Sequence, residues 1–274
     1  MAWRPIFSFV HASHEPIPCS RGMVRIDLNC DVGESFGAYT IGDDHGVLAH
    51  VTSANIACGA HAGDPGTMRT TIRLAQDRGV SIGAHPGFAD LSGFGRREIG
   101  ATTQEIEDLV AFQVGALIGI ARTERAHVTH VKPHGALYNL ASRDRPVADA
   151  IARAVAGVDA ALTLFGLSGS VLLDAGREVG LSVAAEVFAD RAYAGDGSLV
   201  SRRATGAVLT DPQGVVDRAI RMVTEGIVVA TDGTSVDLVT DTICVHGDTP
   251  GAADMAQALR AGLEAAGVEV GPIR

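Results

Sequence analysis

A chain of 274 residues that is 46% apolar and carries 33 glycines has room for one large domain, such as an α/β barrel of about 250 residues. Its formal charge of −10 argues against nucleic acid or an anionic membrane as a partner. No apolar run reaches the roughly 18 residues that span a bilayer; the longest, Leu109 to Ala121, holds Gln113 and two glycines and reads as a buried helix.

Residues 1–22 differ from the rest of the chain, with the only Trp, three prolines and no periodicity. They lack the basic-then-apolar pattern of a signal peptide and read as a dispensable extension from a misplaced start, with Met23 opening one domain over residues 23–274. A chain beginning at Met23 that failed to fold would disprove this. From there short β-branched runs alternate with helix-like segments. The expected strands are Val24–Leu28, Ser53–Ala57, Val80–Ala84, Val128–Val131, Leu162–Phe165, Ser182–Val187 and Thr242–Val245. Asp64-Pro65, Asp211-Pro212 and Thr249-Pro250 are helix starts, Thr102 to Glu105 is a capping box, and Gly79, Gly180 and Gly267 are helix ends. Gly226 to Asp241 suggests a hairpin around Asp232-Gly233. Such alternation predicts a parallel sheet covered on both faces, and seven strands favour a closed (β/α) barrel over an open doubly wound sheet. Pro86–Thr102 and Phe188–Thr210 are long glycine-rich loops of the kind that serve function. Cys19, Cys30, Cys58 and Cys244 are widely spaced with no CxxC pair, which suits reduced, buried thiols in a cytoplasmic protein.

The polar residues gather where strands end. The first strand leads into Asn29, Asp31 and Glu34, the second into His61, the third into His85 and the fourth into Lys132-Pro133-His134. The sixth gives Glu186, then Asp190 and Arg191; the seventh leads into His246 and Asp248. In a parallel barrel these ends share one mouth, the side on which such folds build active sites. Lys132 is the only lysine, in a chain that uses arginine for every other basic side chain. His45, His50 and His127 read as surface or core residues.

Two chemistries suit this set. In one, Asp31, His61 and His85 hold a divalent ion that activates water, although these three stand at neither HxxxH nor HExxH spacing. In the other, a carboxylate or His134 acts as base and Lys132 or an arginine stabilises oxyanion charge. Arg96 and Arg97, beside Gly93-Phe94-Gly95, offer a fork for a carboxylate or phosphate, or else are solvated surface charge. The chain contains no Gly-Lys pair and so no Walker A loop; if ATP is used, its site is of another kind or lies partly on another protein.

The motifs Asp27 to Glu34, Ala54 to Asp64, Gly83 to Gly87, Gly93 to Arg97 and Val131 to Tyr138 together resemble the LamB/YcsF family, in order and over almost the whole chain from about Arg25. The resemblance implies a seven-stranded barrel of the glycoside hydrolase/deacetylase type and ATP-dependent cleavage of 5-oxoproline to L-glutamate, with ADP and phosphate as co-products. It also implies partner subunits B and C, similar to the halves of allophanate hydrolase-type proteins, and a metal in doubt because the deacetylase spacing is absent. The expected roles are Lys132, His134, Asp31 and Glu186 in catalysis, and Asn29, His61, His85, Arg96, Arg97, Asp190, Arg191, His246 and Asp248 in binding substrate. Lys132→Met is then expected to abolish turnover and spare the fold. A metal-dependent deacetylase or amidase without ATP, and a non-catalytic scaffold, are the rival readings.

Overall fold

In the computed structural model the described residues are 24–202, 204–247 and 251–273, without the side chain of His246. The extension, Cys19, Asp248 and the Thr249-Pro250 helix start lie outside them. In chain order the elements are β1 (Arg25–Val32), α1 (Asp44–Val47), β2 (Ser53–Ala57), α2 (Pro65–Asp77), β3 (Ser81–His85), α3 (Thr103–Thr123), β4 (Val128–Val131), α4 (Gly135–Ala141), α5 (Arg145–Val158), β5 (Thr163–Leu167), α6 (Val171–Glu178), β6 (Ser182–Phe188), α7 (Pro212–Thr224), β7 (Ile227–Val229), β8 (Ser235–Asp237), β9 (Thr242–His246), α8 (Ala252–Ala265) and β10 (Glu269–Val270).

Seven parallel strands run β1-β2-β3-β4-β5-β6-β9, and β9 pairs back onto β1 to close a barrel. The open sheet is thereby excluded. β10 adds to the start of β1, while β7 and β8 form the expected antiparallel hairpin outside the barrel. Asp64 and Asp211 cap helices that begin with proline, and Thr102 with Glu105 completes a capping box. α8 starts at Ala252, after a left-handed Gly251.

Every expected barrel strand is present, but β1 runs on past Leu28 to Val32. The physical reason is alternation. Ile26, Leu28, Cys30 and Val32 join the apolar core, while the intervening Asp27, Asn29 and Asp31 belong to the polar network inside the barrel. A polar residue in this strand therefore does not end it. Asp27, almost fully buried, accepts hydrogen bonds from Thr52, Ser53 and Thr242; burial raises its pKa by more than those contacts lower it. Cys30, Cys58 and Cys244 are free and buried, as expected of structural thiols.

Candidate active site

Two linked clusters occupy the C-terminal mouth. The inner one is built on β1, β2, β4, β6 and β9. The Lys132 ammonium lies 2.8 Å from Glu186 Oε1, 2.9 Å from Asp31 Oδ1, 3.1 Å from Asn29 Oδ1 and 3.0 Å from Cys244 Sγ. Asn29 donates to Glu186 at 2.9 Å, and Asn55 donates to Asn29 at 2.7 Å and to Asp31 at 2.9 Å. Burial alone would strip the proton from this lysine. Asp31, Cys244 and Glu186 outweigh burial and hold its pKa well above the ordinary value. Lys132 is therefore a fixed cation with its three N–H groups spent among four acceptors.

The outer cluster comes from the loops after β1, β2, β3 and β4. One ligating atom each from Glu34, His61, His85 and His134 lies within 4.8 Å of the others, and all four residues are buried. Backbone carbonyls select the tautomers. His85 Nδ1 donates to the Lys132 carbonyl at 2.7 Å, and His134 Nε2 donates to the Phe94 carbonyl at 2.8 Å. That leaves His85 Nε2 and His134 Nδ1 facing each other, 2.9 Å apart, each with a lone pair. The rings of His61 and His134 stack at 3.7 Å, and neither ring nitrogen of His61 has a hydrogen-bond partner although the residue is fully buried. Glu34 Oε1 lies 3.8 Å from both His61 Nε2 and His134 Nδ1.

Burial first, then neighbouring histidines, push the pKa of His61 and His134 well below the ordinary range. Lone pairs converging in a dry pocket repel unless a cation sits among them, and these imidazoles do not keep a proton. Three histidines and one carboxylate, with the second nitrogens of His85 and His134 tied to carbonyls, are the donor set of a divalent transition-metal site. Glu34, His61, His85 and His134 therefore fit such an ion. The expected set of Asp31, His61 and His85 shares His61 and His85 with this cluster. Asp31 spends Oδ1 on Lys132 and Asn55 and reaches the outer cluster only through Oδ2, 3.3 Å from His85 Nε2.

The glycine-rich loop seals the stack. Gly95, at φ 63°, passes so close that a Cβ there would stand 2.7 Å from the His61 Cβ and 2.8 Å from His134. Arg96 lies over the Phe94 ring at 4.9 Å, exposed at the mouth, and its charge lowers the His61 pKa. Arg97 instead pairs with Asp90 within the loop. Arg191 donates to the carbonyls of Ala207 and Val200, so it ties down the loop after β6; burial and then Arg202 push its pKa down to about 10. Asp190 sits beside it and accepts at its carbonyl from Leu209. His246 pairs in register with Asp31 at the mouth end of β9.

Four participants have no role assigned from the sequence: Glu34, Asn55, His130 and Cys244. His130 donates to Asn55 at 2.9 Å and stacks on Phe165 at 4.3 Å. A signal for it exists, because His130, Lys132 and His134 are spaced by two, the period that keeps side chains on one face of a strand. Tyr138 also lies here, with its phenol kept protonated by burial and by Glu186.

The LamB/YcsF family model matches residues 26–274. A Chloroflexus aggregans protein named as the A subunit of 5-oxoprolinase is 58% identical over 248 residues, which cover 90% of this chain and 98% of that one. The Bacillus subtilis protein of the same name is 54% identical, over 90% of this chain and 96% of its own length. A crystal structure of a lactam utilization protein from Thermus thermophilus superposes with a TM-score of 0.86 at 47% identity, covering 91% of this chain and all of that one.

Proposed function

The chain belongs to the LamB/YcsF family, and from that premise we propose that it opens the lactam ring of 5-oxoproline to L-glutamate as the A subunit of an ATP-dependent multi-subunit enzyme. The observation that carries this reading is Asp31, whose two carboxylate oxygens join the Lys132 ion-pair cluster to the histidine cluster at the barrel mouth. A five-membered lactam is a stable amide with a poor leaving group. Transfer of the γ-phosphoryl of ATP to the lactam oxygen makes the ring carbon a better electrophile. Water then adds to that carbon, the C–N bond breaks as the ring nitrogen takes a proton, and hydrolysis of the remaining acyl phosphate gives glutamate and phosphate. With no Walker A loop in this chain, the phosphoryl transfer is assigned to subunits B and C, relatives of the allophanate hydrolase-type proteins.

The roles follow from exposure and hydrogen bonding. Asp31, with 14% of its side chain exposed, is the base that takes the proton from water. Glu186 has no exposed surface and Lys132 almost none, so both act by holding Asp31 charged and oriented. Arg96 receives the substrate carboxylate or the phosphoryl group at the rim. His134 donates through Nε2 to the Phe94 carbonyl and turns Nδ1 into the histidine cluster, so it does not serve as base. A divalent ion held by Glu34, His61, His85 and His134 would supply Lewis-acid stabilisation of oxyanion charge.

The test is ATP-dependent glutamate release from 5-oxoproline, with the chain alone and together with its B and C partners. Glutamate in the complete mixture only is the expected result. The histidine cluster favours one rival, a metal-dependent amidase. Amide hydrolysis by the metal-loaded chain without ATP, and no glutamate in any mixture with folded and bound partners, would replace the present reading with that one.

A further inference from the structure

The uncharged stretch Leu109 to Ala121 lies within α3 and is only half buried. Val110, Val114 and Leu117 face the core, with α2 and α5 packed alongside the helix. On the outer side Phe112 is 73% exposed, the largest exposure of any bulky apolar residue among the described residues. A helix that is apolar all round is ordinarily covered all round, and an exposed apolar face of this kind marks an interaction surface. The glycines on that face point the same way. Gly115 and Gly119 have nothing within 4 Å of where a Cβ would stand, so no intramolecular neighbour requires glycine there, although glycine weakens a helix.

The flanking charges identify the occupant. Asp108 lies seven residues before Gly115 and Arg122 seven after it, about two helical turns each way, so all three share one stripe. Asp108 accepts a local hydrogen bond from Gln104. Both charges are exposed.

We propose that the outer face of α3 docks a second copy of this chain, antiparallel and two-fold symmetric about Gly115. Antiparallel pairing sets Asp108 of each copy against Arg122 of the other, and Phe112 against Ile118 and the hollow left by Gly115 and Gly119. The pattern is complementary to itself, as an isologous interface requires, whereas parallel pairing would set like charges together.

Sedimentation velocity of the full chain tests this. Wild type should sediment at twice the chain mass. Gly115→Leu places its side chain in open space in the single copy and between the helices in the pair. It should weaken association by about 10-fold or more, with an unchanged circular dichroism spectrum and no loss of melting temperature. Asp108→Arg should do the same, and adding Arg122→Asp should restore the pair. A monomeric wild type, a dimer indifferent to Gly115→Leu, or a double charge swap that stays apart would each overturn the proposal. So would a monomer whose Gly115→Leu variant loses binding to a different protein, which would assign the face to that partner.

Discussion

The Lys132 ammonium stands 2.8 Å from a carboxylate oxygen of Glu186 that solvent does not reach, in a barrel interior where Asp31 is the second acid on the same cation. This relationship changes the outcome expected of Lys132→Met. Removing the cation leaves two carboxylates facing each other with their partner gone, a loss of about 3–5 kcal/mol for a buried pair broken on one side. Chemical denaturation should show that loss, together with absent turnover. Lys132→Met combined with Glu186→Gln should recover part of the stability and none of the activity. A single variant as stable as wild type would show that the pair is not buried as described.

The facing nitrogens of His85 and His134 lead to a prediction on metal content. The chain purified without chelator should carry about one divalent ion per copy, bound through His61, His85, His134 and Glu34. His61→Ala or Glu34→Gln should lower affinity by more than the roughly 10–100-fold that loss of an outer partner costs. Elemental analysis with competitive chelation measures this, and equal metal in wild type and variants would dismiss the site.

His130 should make stability depend on pH. Burial, followed by the charges of Lys132 and His85, pushes its pKa from 6.5 down to about 3. Between those values the unfolded chain takes a proton that the folded one refuses. Its contribution is therefore fully present above pH 6.5 and lost progressively as pH falls toward 3. The difference in unfolding free energy between wild type and His130→Gln should shrink over that interval; a constant difference would contradict it.

Gly83 reports on the same ring. A Cβ there would stand 2.1 Å from His130 Nε2, and the ring cannot retreat because it stacks on Phe165 and donates to Asn55. Gly83→Ala should cost about 1–3 kcal/mol by overpacking, measured by denaturant melts. An unperturbed melt would mean that the ring has room to move.

The two neighbouring arginines should separate in their effects. Arg96→Ala should raise KM for the anionic substrate about 10-fold or more, the worth of a charge-assisted contact, and leave the melting temperature alone. Arg97→Ala frees Asp90 and should instead make the loop around residues 90–97 sensitive to protease. Matching effects of the two on KM would argue that both touch substrate.

Much of the fold is legible in single stretches because each strand and cap is specified locally. Val128–Val131 is a strand from its β-branched residues, Asp64-Pro65 starts a helix with its own side chain, and Gly79 and Gly180 end helices at positive φ. The full extent of β1 is not legible at Asn29, since a polar residue ends an ordinary strand but lines this interior. The exposed half of α3 escapes for a related reason: hydrophobicity says that a face is covered, not what covers it.

The sequence by itself determined that Asn29, Asp31, His61, His85, Lys132, His134 and Glu186 would meet at one mouth. The strand assignment and the common direction of parallel strands fix that without coordinates. Only the tertiary structure decided how they divide. β9 closes onto β1 and places Asp31 beside Asn55 on one side and His246 on the other. That register gives one oxygen of Asp31 to Lys132 and the other to His85, and the loop past Gly33 brings Glu34 to the histidines as well. Partner choice between two carboxylates three residues apart rests on ångström distances across the barrel, and no pattern along the chain encodes those.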